Sequence, residues 1–365
     1  MPDNPFDLVT LLSQAVSHGG SDLHLSVDAP PMARVHGRLV PLADRALTVD
    51  FCRDLVIGVL TESQRARLEE EWELDFALQV EGLGRFRGNA HYNRGALEAA
   101  FRFIPRQIPE LDALGHREVI ARLCALQRGL VLVTGITGSG KSTTMASMIQ
   151  HISRQREGVI VTVEDPIEYV FQNARSLVKQ REVGNDTKSF ASALRHVLRQ
   201  DPDVILVGEM RDMETIGAAI TAAETGHLVI ATLHTIDAPK AIDRIVDPFP
   251  PEQQPQIVAQ IANALEAVIA QRLIPREDGN GRVLASETLV ANAAVRACIR
   301  ERRWEQLVGL IEIGGKEGMH TFDDDLERLY LEGAISKEEA VANARDRAHM
   351  ETLRREPAGR RGLFG

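Results

Sequence analysis

Residues Leu130 to Thr144 read L-V-L-V-T-G-I-T-G-S-G-K-S-T-T: an apolar strand, a glycine-rich turn and the opening of a helical pattern that continues with Met145, Met148 and Ile149. Within it, Gly135 to Ser142 matches G-x-x-x-x-G-K-[ST]. Such a loop wraps backbone N–H groups around phosphates, with glycines where side chains would collide. Lys141 brings a cation to the β and γ phosphates, and Ser142 a hydroxyl to Mg²⁺. Gly135, Thr137, Gly138, Ser139, Gly140, Lys141, Ser142 and Thr143 are therefore the candidate residues for binding ATP, with Ser142 also a candidate metal ligand.

Working outward, apolar runs recur at Gly158–Val163, Val204–Val207 and Leu228–Ala231, with helical patterns between them. Strands that are apolar throughout belong to a parallel sheet covered on both faces, so a doubly wound α/β domain is expected. Upstream, Asn4-Pro5 followed by Phe6, Val9, Leu12 and Val16 predicts a capped amphipathic helix stopped by Gly19-Gly20. Alternating segments at Asp22–Val27, Met32–Val40, Leu74–Val80 and Gly84–His91, around a helical stretch Asp50–Glu71, predict a small α+β domain over 1–103. Ile104-Pro105 and Ile108-Pro109 break regular structure and place a linker at 104–115. An ATPase core is expected over 116–275. From about Pro250 the pattern turns mainly helical, with Ile257–Ala270 its most apolar helix, so 276–350 is expected to be mostly helical. The Arg- and Gly-rich end, 351–365, is expected to be disordered.

Val204-Ile205-Leu206-Val207-Gly208-Glu209 ends a strand in a carboxylate at the edge of the sheet beside the phosphate loop. P-loop enzymes generally have Asp where this chain has Gly208, so Glu209 acts alone, on Mg²⁺ or its water shell. Glu164-Asp165-Pro166 delivers further carboxylate to the same edge. Hydrolysis needs one group to hold the metal and another to orient or deprotonate water. Acids on neighbouring strands satisfy that division, though position alone does not assign the roles, and Asp165 also suits an Asx-type turn before proline. His227 and His234 flank the strand Leu228–Ala231 without the spacing of a shared metal site. His234, in T-L-H-T, stands where a γ-phosphate sensor is useful. Phosphoryl transfer also gains from a cation at the developing charge, roughly 10³–10⁵ in rate for an arginine finger. Arg87 and Arg102 lie in strands of the first domain, and Arg195 and Arg199 lie four apart on one helix face.

The 365 residues, 44% hydrophobic and 26% charged, suit roughly two folded domains. A net charge of −10 and 4% aromatic residues argue against nucleic acid as a partner, which needs phosphate neutralisation and base stacking. Cys52, Cys124 and Cys298 are too scattered for a zinc site or disulfide framework, which suits a reducing cytosol. Neither a signal peptide nor a membrane-spanning run is evident.

Together the phosphate loop, V-E-D-P-I-E-Y (Val163–Tyr169), R-Q-D-P-D-V-I-L-V-G-E-M-R-D (Arg199–Asp212) and A-E-T-G-H-L-V-I-A-T-L-H-T (Ala223–Thr235) resemble the four boxes of the secretion and type IV pilus ATPase superfamily. G-G-S-D-L-H-L-S at Gly19–Ser26 and the short first domain are similar to its pilus retraction group (PilT and PilU). The resemblance implies a PAS-like first domain, a RecA-like second domain with a helical C-terminal region, and a homo-hexameric ring with ATP held between the domains. It implies a cytoplasmic motor for pilus retraction and twitching motility, peripheral to the inner membrane at the pilus base, with a platform protein and a paralogous pilus ATPase as partners. It assigns water activation to Glu164 and the Mg²⁺ neighbourhood to Glu209. It matches His227 and His234 to the histidine box, Arg87 and Arg102 to first-domain arginines that reach the nucleotide, and Arg195 and Arg199 to arginines near the site. The long N-terminal region and four-cysteine zinc motif of assembly and export members are missing, which favours retraction over extension. Ala294–Glu301 reads A-V-R-A-C-I-R-E where first-type retraction members carry A-I-R-N-L-I-R-E, so principal motor and accessory paralogue both stay open.

Other classes fit less well. A nucleic-acid motor on a RecA-like fold would need a basic channel. A nucleotide-gated adaptor would not need Lys141, Ser142, Glu164 and Glu209 all intact. A GTPase would carry [NT]-K-x-D, and Thr187-Lys188-Ser189-Phe190 lacks the acid.

Overall fold

The first helix begins at Asp7, whose Oδ1 accepts the Val9 amide at 2.8 Å as an N-cap. The computed structural model describes residues 7–35, 37–104 and 107–355; the cap expected at Asn4-Pro5, with Phe6, lies outside them. Helix α1 (Leu8–Ser17) buries Leu8, Leu11, Leu12 and Ala15 and leaves Val9 45% exposed. Of the expected apolar residues Leu12 is buried and Val16 packs against the core, while Val9 is off the face: four residues at helical spacing outcompete a stripe through Val9. Gly19, at φ +71°, ends the helix as anticipated.

The first unit, Met1–Gln107, continues with β1 (Gly20–Leu25), β2 (Met32–Val35), β3 (Arg38–Pro41), α2 (Val49–Ile57), α3 (Glu62–Glu71), β4 (Glu73–Val80), β5 (Gly84–Asn93) and β6 (Ala96–Ile104). Met32–Val40 is thus two strands rather than one. The six strands form an antiparallel sheet in the order β3-β2-β1-β6-β5-β4. Leu23, Leu25, Phe76, Phe86, Leu97 and Phe101 join Leu11, Leu12, Val56 and Leu68 of the helices in one core. With a two-residue period, Asp22, Asp75, Arg87 and Arg102 take the other face of the sheet.

The second unit, Ile108–Gly365, opens with a 3₁₀ turn at Leu111–Leu114 and α4 (Val119–Cys124). Then come β7 (Gly129–Thr134), α5 (Lys141–Gln155), β8 (Gly158–Glu164), β9 (Ser176–Glu182), α6 (Phe190–Val197), β10 (Val204–Val207), α7 (Met213–Glu224), β11 (Leu228–Leu233), α8 (Ala238–Val246) and α9 (Gln254–Ala264). A seven-stranded sheet runs β13-β12-β7-β11-β10-β8-β9, parallel but for the edge strand β13 (Arg282–Val290) on β12 (Leu265–Pro275). Its residues alternate between two cores. Leu130, Leu132, Val161, Val163, Ile205 and Val207 pack with α6 to α9 and with the later helices at Ala293–Arg300 and Leu307–Ile313 on one face. Val131, Val133, Ile160, Val204 and Leu206 pack with α4 and α5 on the other. Burial on both faces is why these strands carry no polar alternation.

Ile257–Ala270 is not one helix: α9 stops at Ala264 and β12 takes over at Leu265. The mainly helical pattern expected from Pro250 is interrupted by β12 and β13 before α10 (Ala293–Arg300), α11 (Leu307–Ile313), α12 (Phe322–Leu331), α13 (Lys337–Asn343) and α14 (Arg347–Thr352). A short apolar run buried on both sides reads alike as helix or strand. Residues 356–365 of the expected tail lie outside the described residues. Arg355 is tied down, against expectation, by bonds to Tyr330 O and Ile335 O and by its stack on the Tyr330 ring at 4.3 Å. Side-chain anchors of this kind have no local sequence signature.

The charged residues of A-V-R-A-C-I-R-E have a packing role. Arg296 of α10 donates to Ala262 O at 3.0 Å, Asn263 O at 2.7 Å and Glu266 Oε1 at 2.9 Å, closing the end of α9. Arg296→Ala is expected to cost about 1–3 kcal/mol of stability in a urea titration, because these are charge-assisted bonds.

Candidate active site

The loop between β7 and α5 holds Gly135, Gly138 and Gly140 at φ +148°, +79° and +90°, a region where other residues are strained. A Cβ at Gly135 would stand 2.5 Å from the Gln271 carbonyl oxygen. Gln271 of β12 also donates Nε2 to Ser139 O at 2.9 Å, so the strand missing from the sequence reading braces the loop. Lys141, 9% exposed, donates Nζ to Gly135 O at 2.7 Å and to Ile136 O at 3.1 Å. Burial pushes its ammonium below the usual range, and the charges of Glu209 and Glu168 oppose the shift. The first amides of α5 have no intrahelical acceptor and carry the positive end of the helix dipole. Buried Thr134 Oγ1, Ser139 Oγ and Gln271 Oε1 have no hydrogen-bond partner among the described residues. Glycine cradle, cation and polar lining fit an anionic, phosphate-bearing ligand.

Beside the loop, Gly140, Thr143 and Thr144 line a cavity of about 440 Å³ with Leu114, Gly115 and Leu284. Two residues that sequence reasoning missed hydrogen-bond to its threonines. His116 Nε2 meets Thr144 Oγ1 at 3.1 Å, and burial pushes this imidazole down to about 4, leaving it neutral. Tyr169 shares a hydrogen bond of 3.0 Å with Thr143 Oγ1. Tyr169 closes V-E-D-P-I-E-Y, a signal that was available; His116 stands in no motif.

The acids meet at the carboxyl edge of the sheet. Glu164 is the last residue of β8, and Gly208 follows β10 with its amide donating to Val163 O at 2.8 Å. A Cβ at Gly208 would lie 3.2 Å from both Glu164 Cα and Val163 O, so the missing side chain lets the two strand ends close up. Gly208→Ala is expected to spread them and lower turnover about tenfold at unchanged nucleotide affinity, as small displacements of catalytic groups do; steady-state kinetics with nucleotide titration would check it. Glu209 Oε1 accepts Arg211 Nε at 2.5 Å and His234 Nε2 at 3.1 Å. Burial would raise this carboxyl, but the Arg211 hydrogen bond, with the Arg211 charge and the His234 ring beside it, holds it below the usual range. Arg211 was also missed, although it lies two residues along in E-M-R-D. Glu164 Oε1 accepts Thr162 Oγ1 at 2.6 Å and Gln180 Nε2 at 3.1 Å. Burial outweighs both bonds and pushes its carboxyl up, making it the more basic of the two.

The phosphate loop, Glu164, Glu209 and His234 therefore share one edge of one sheet. His227 does not join them: it precedes β11 at the opposite edge, with Nδ1 2.9 Å from Ala222 O. Arg195 of α6 is exposed and pairs with Glu214 at 3.1 Å, and Arg199 is exposed just beyond that helix. In the first unit, Arg87 and Arg102 stand directly opposite each other across β5 and β6. Like charges so placed repel, and Asp22, from G-G-S-D-L-H-L-S, accepts Arg102 Nε at 2.8 Å.

A family described as "Type II/IV secretion system protein" matches residues 10–354 of this chain. The type IV pilus retractation ATPase PilT of Pseudomonas aeruginosa is 46% identical over 345 residues, 94% of this chain and 98% of that protein. The type IV pilus ATPase PilU of the same organism is 41% identical over 334 residues, 92% of this chain and 87% of that one. The crystal structure of the pilus retraction motor PilT with bound ADP superposes with a TM-score of 0.89 at 46% identity, over 95% of this chain and 100% of that one.

Proposed function

The chain belongs to the type II/IV secretion system protein family, and from that premise we infer its work: it is an ATPase whose hydrolysis of ATP drives type IV pilus retraction and twitching motility. One observation carries this beyond nucleotide binding. Two carboxylates of opposite character, a basic Glu164 and a charge-paired Glu209, sit on adjacent strand ends beside the phosphate loop. A binding module needs the loop but not the pair.

In this reading the loop amides and Lys141 take the β and γ phosphates. A hydroxyl and a carboxylate suit Mg²⁺, which keeps several waters of its own; Ser142 and Glu209 would hold it. When bound, Mg²⁺ supplies positive charge to the phosphate oxygens. Glu164 orients a water and takes its proton as the oxygen attacks the γ phosphorus and the bond to the ADP oxygen breaks. His234 reports the γ phosphate to Glu209 through their shared contact. Arg87 and Arg102 supply cations to the developing charge. His227, at the other end of β11, and the exposed Arg195 and Arg199 are given the roles that the family resemblance assigns them.

The antiparallel first unit supports a PAS-like assignment, and the parallel second unit with its phosphate loop a RecA-like one. We place the boundaries at 1–103, 104–115, 116–275 and 276–350. The working form is a homo-hexamer acting at an inner-membrane platform protein, with a paralogous pilus ATPase as companion. We take it to be cytoplasmic; among the described residues no helix is long and apolar enough to cross a membrane. Deletion tests the role: cells lacking the chain are expected to accumulate surface pili and lose twitching. Normal retraction in a strain without paralogues would exclude it.

A further inference from the structure

Thr162 of β8 and Gln180 of β9 are paired in register, and Glu164, two residues on, shares Thr162's face of the sheet. Both donors of the Gln180 amide are used. Its Oε1 accepts the Phe171 amide at 2.9 Å, and its Nε2 donates to Tyr169 O at 2.7 Å and Glu164 Oε1 at 3.1 Å. Two backbone partners thus fix which end of the amide meets the carboxylate. Thr162 Oγ1 donates to the same oxygen at 2.6 Å. Tyr169 in turn meets Thr143 in the first turn of α5. A hydrogen-bonded path therefore runs from the phosphate-binding helix to Glu164.

We propose that Thr162 and Gln180 are positioning residues for hydrolysis: they tie off one oxygen of Glu164, hold its rotamer, and leave Oε2 as the oxygen that receives the proton from water. This rests on Glu164 being the water-activating acid. The clamp spends both side-chain donors on one oxygen, which together with a hydrogen bond from the Glu168 backbone keeps the carboxylate from rotating. Because Gln180 also holds the backbone at Tyr169, a shift at Thr143 on nucleotide binding reaches Glu164 through three hydrogen bonds and the Tyr169 residue between the first two.

The test uses the full chain in its native assembly. Thr162→Val and Gln180→Met keep size while removing the donor. Each is expected to lower kcat about tenfold, as misplacing a catalytic group does, with KM and the affinity for a fluorescent ADP within about twofold of the parent. Thr162→Ser, which restores the hydroxyl, is expected to recover most of the rate. In a Glu164→Gln background neither variant should lower the residual rate further, since coupled residues are non-additive. If Glu164→Gln is impaired while Thr162→Val and Gln180→Met turn over like the parent, the clamp is wrong and the base assignment stands. Equal losses in both backgrounds, or a loss seen in nucleotide affinity, would also overturn it. If Glu164→Gln keeps the parental rate, the base assignment falls and the clamp with it.

Discussion

Lys141→Ala is expected to abolish measurable ATP turnover, a loss of more than about 10³-fold, and to weaken nucleotide binding about 10- to 100-fold. The side chain is nearly buried and anchored to Gly135 O and Ile136 O, so its charge is held at the centre of the loop by two backbone carbonyls. Burial costs the ammonium stability, and a phosphate beside it returns that cost as attraction. Arginine should not rescue the variant, because a planar fork cannot occupy the place of a compact ammonium held by two loop carbonyls. Turnover and titration with a fluorescent nucleotide separate the two effects. Parental turnover by Lys141→Ala would remove the loop from the chemistry altogether.

Glu164→Gln should behave differently. The amide is isosteric and can still accept from Thr162, so binding and assembly should survive, while kcat falls about 10²–10⁴-fold for want of a base. Nucleotide affinity is expected to stay within about twofold of the parent. The burial that makes Glu164 basic is the physical ground for choosing it over Glu209, whose carboxyl is held low by Arg211 and His234. Full turnover by Glu164→Gln, with Glu209→Gln inactive, would reverse the two roles.

These expectations were visible to different depths in the chain itself. Gly135–Ser142, Glu209 and the four central strands could be read locally, because a phosphate loop is a short contiguous device and two-faced burial leaves an unbroken apolar run. β12 and β13 could not: Leu265–Ala270 is apolar enough for either element, and only pairing with β7 makes it a strand. Gln271, which braces the loop, was lost with it. His116, Gln180 and Arg211 escaped for a related reason, since each matters through a partner distant in sequence or by orientation alone.

By itself, then, the sequence determined a phosphate-binding ATPase of the secretion family, because backbone geometry and charge in one loop suffice for that and the boxes follow at readable spacing. Tertiary structure alone decided how the two carboxylates differ in proton affinity. Gly208 draws the β8 and β10 ends together, burial lifts Glu164, and Arg211 with His234 lowers Glu209. Residue type sets what a group can do, but proton affinity and partnership depend on desolvation and neighbours, and those exist only once the chain has folded.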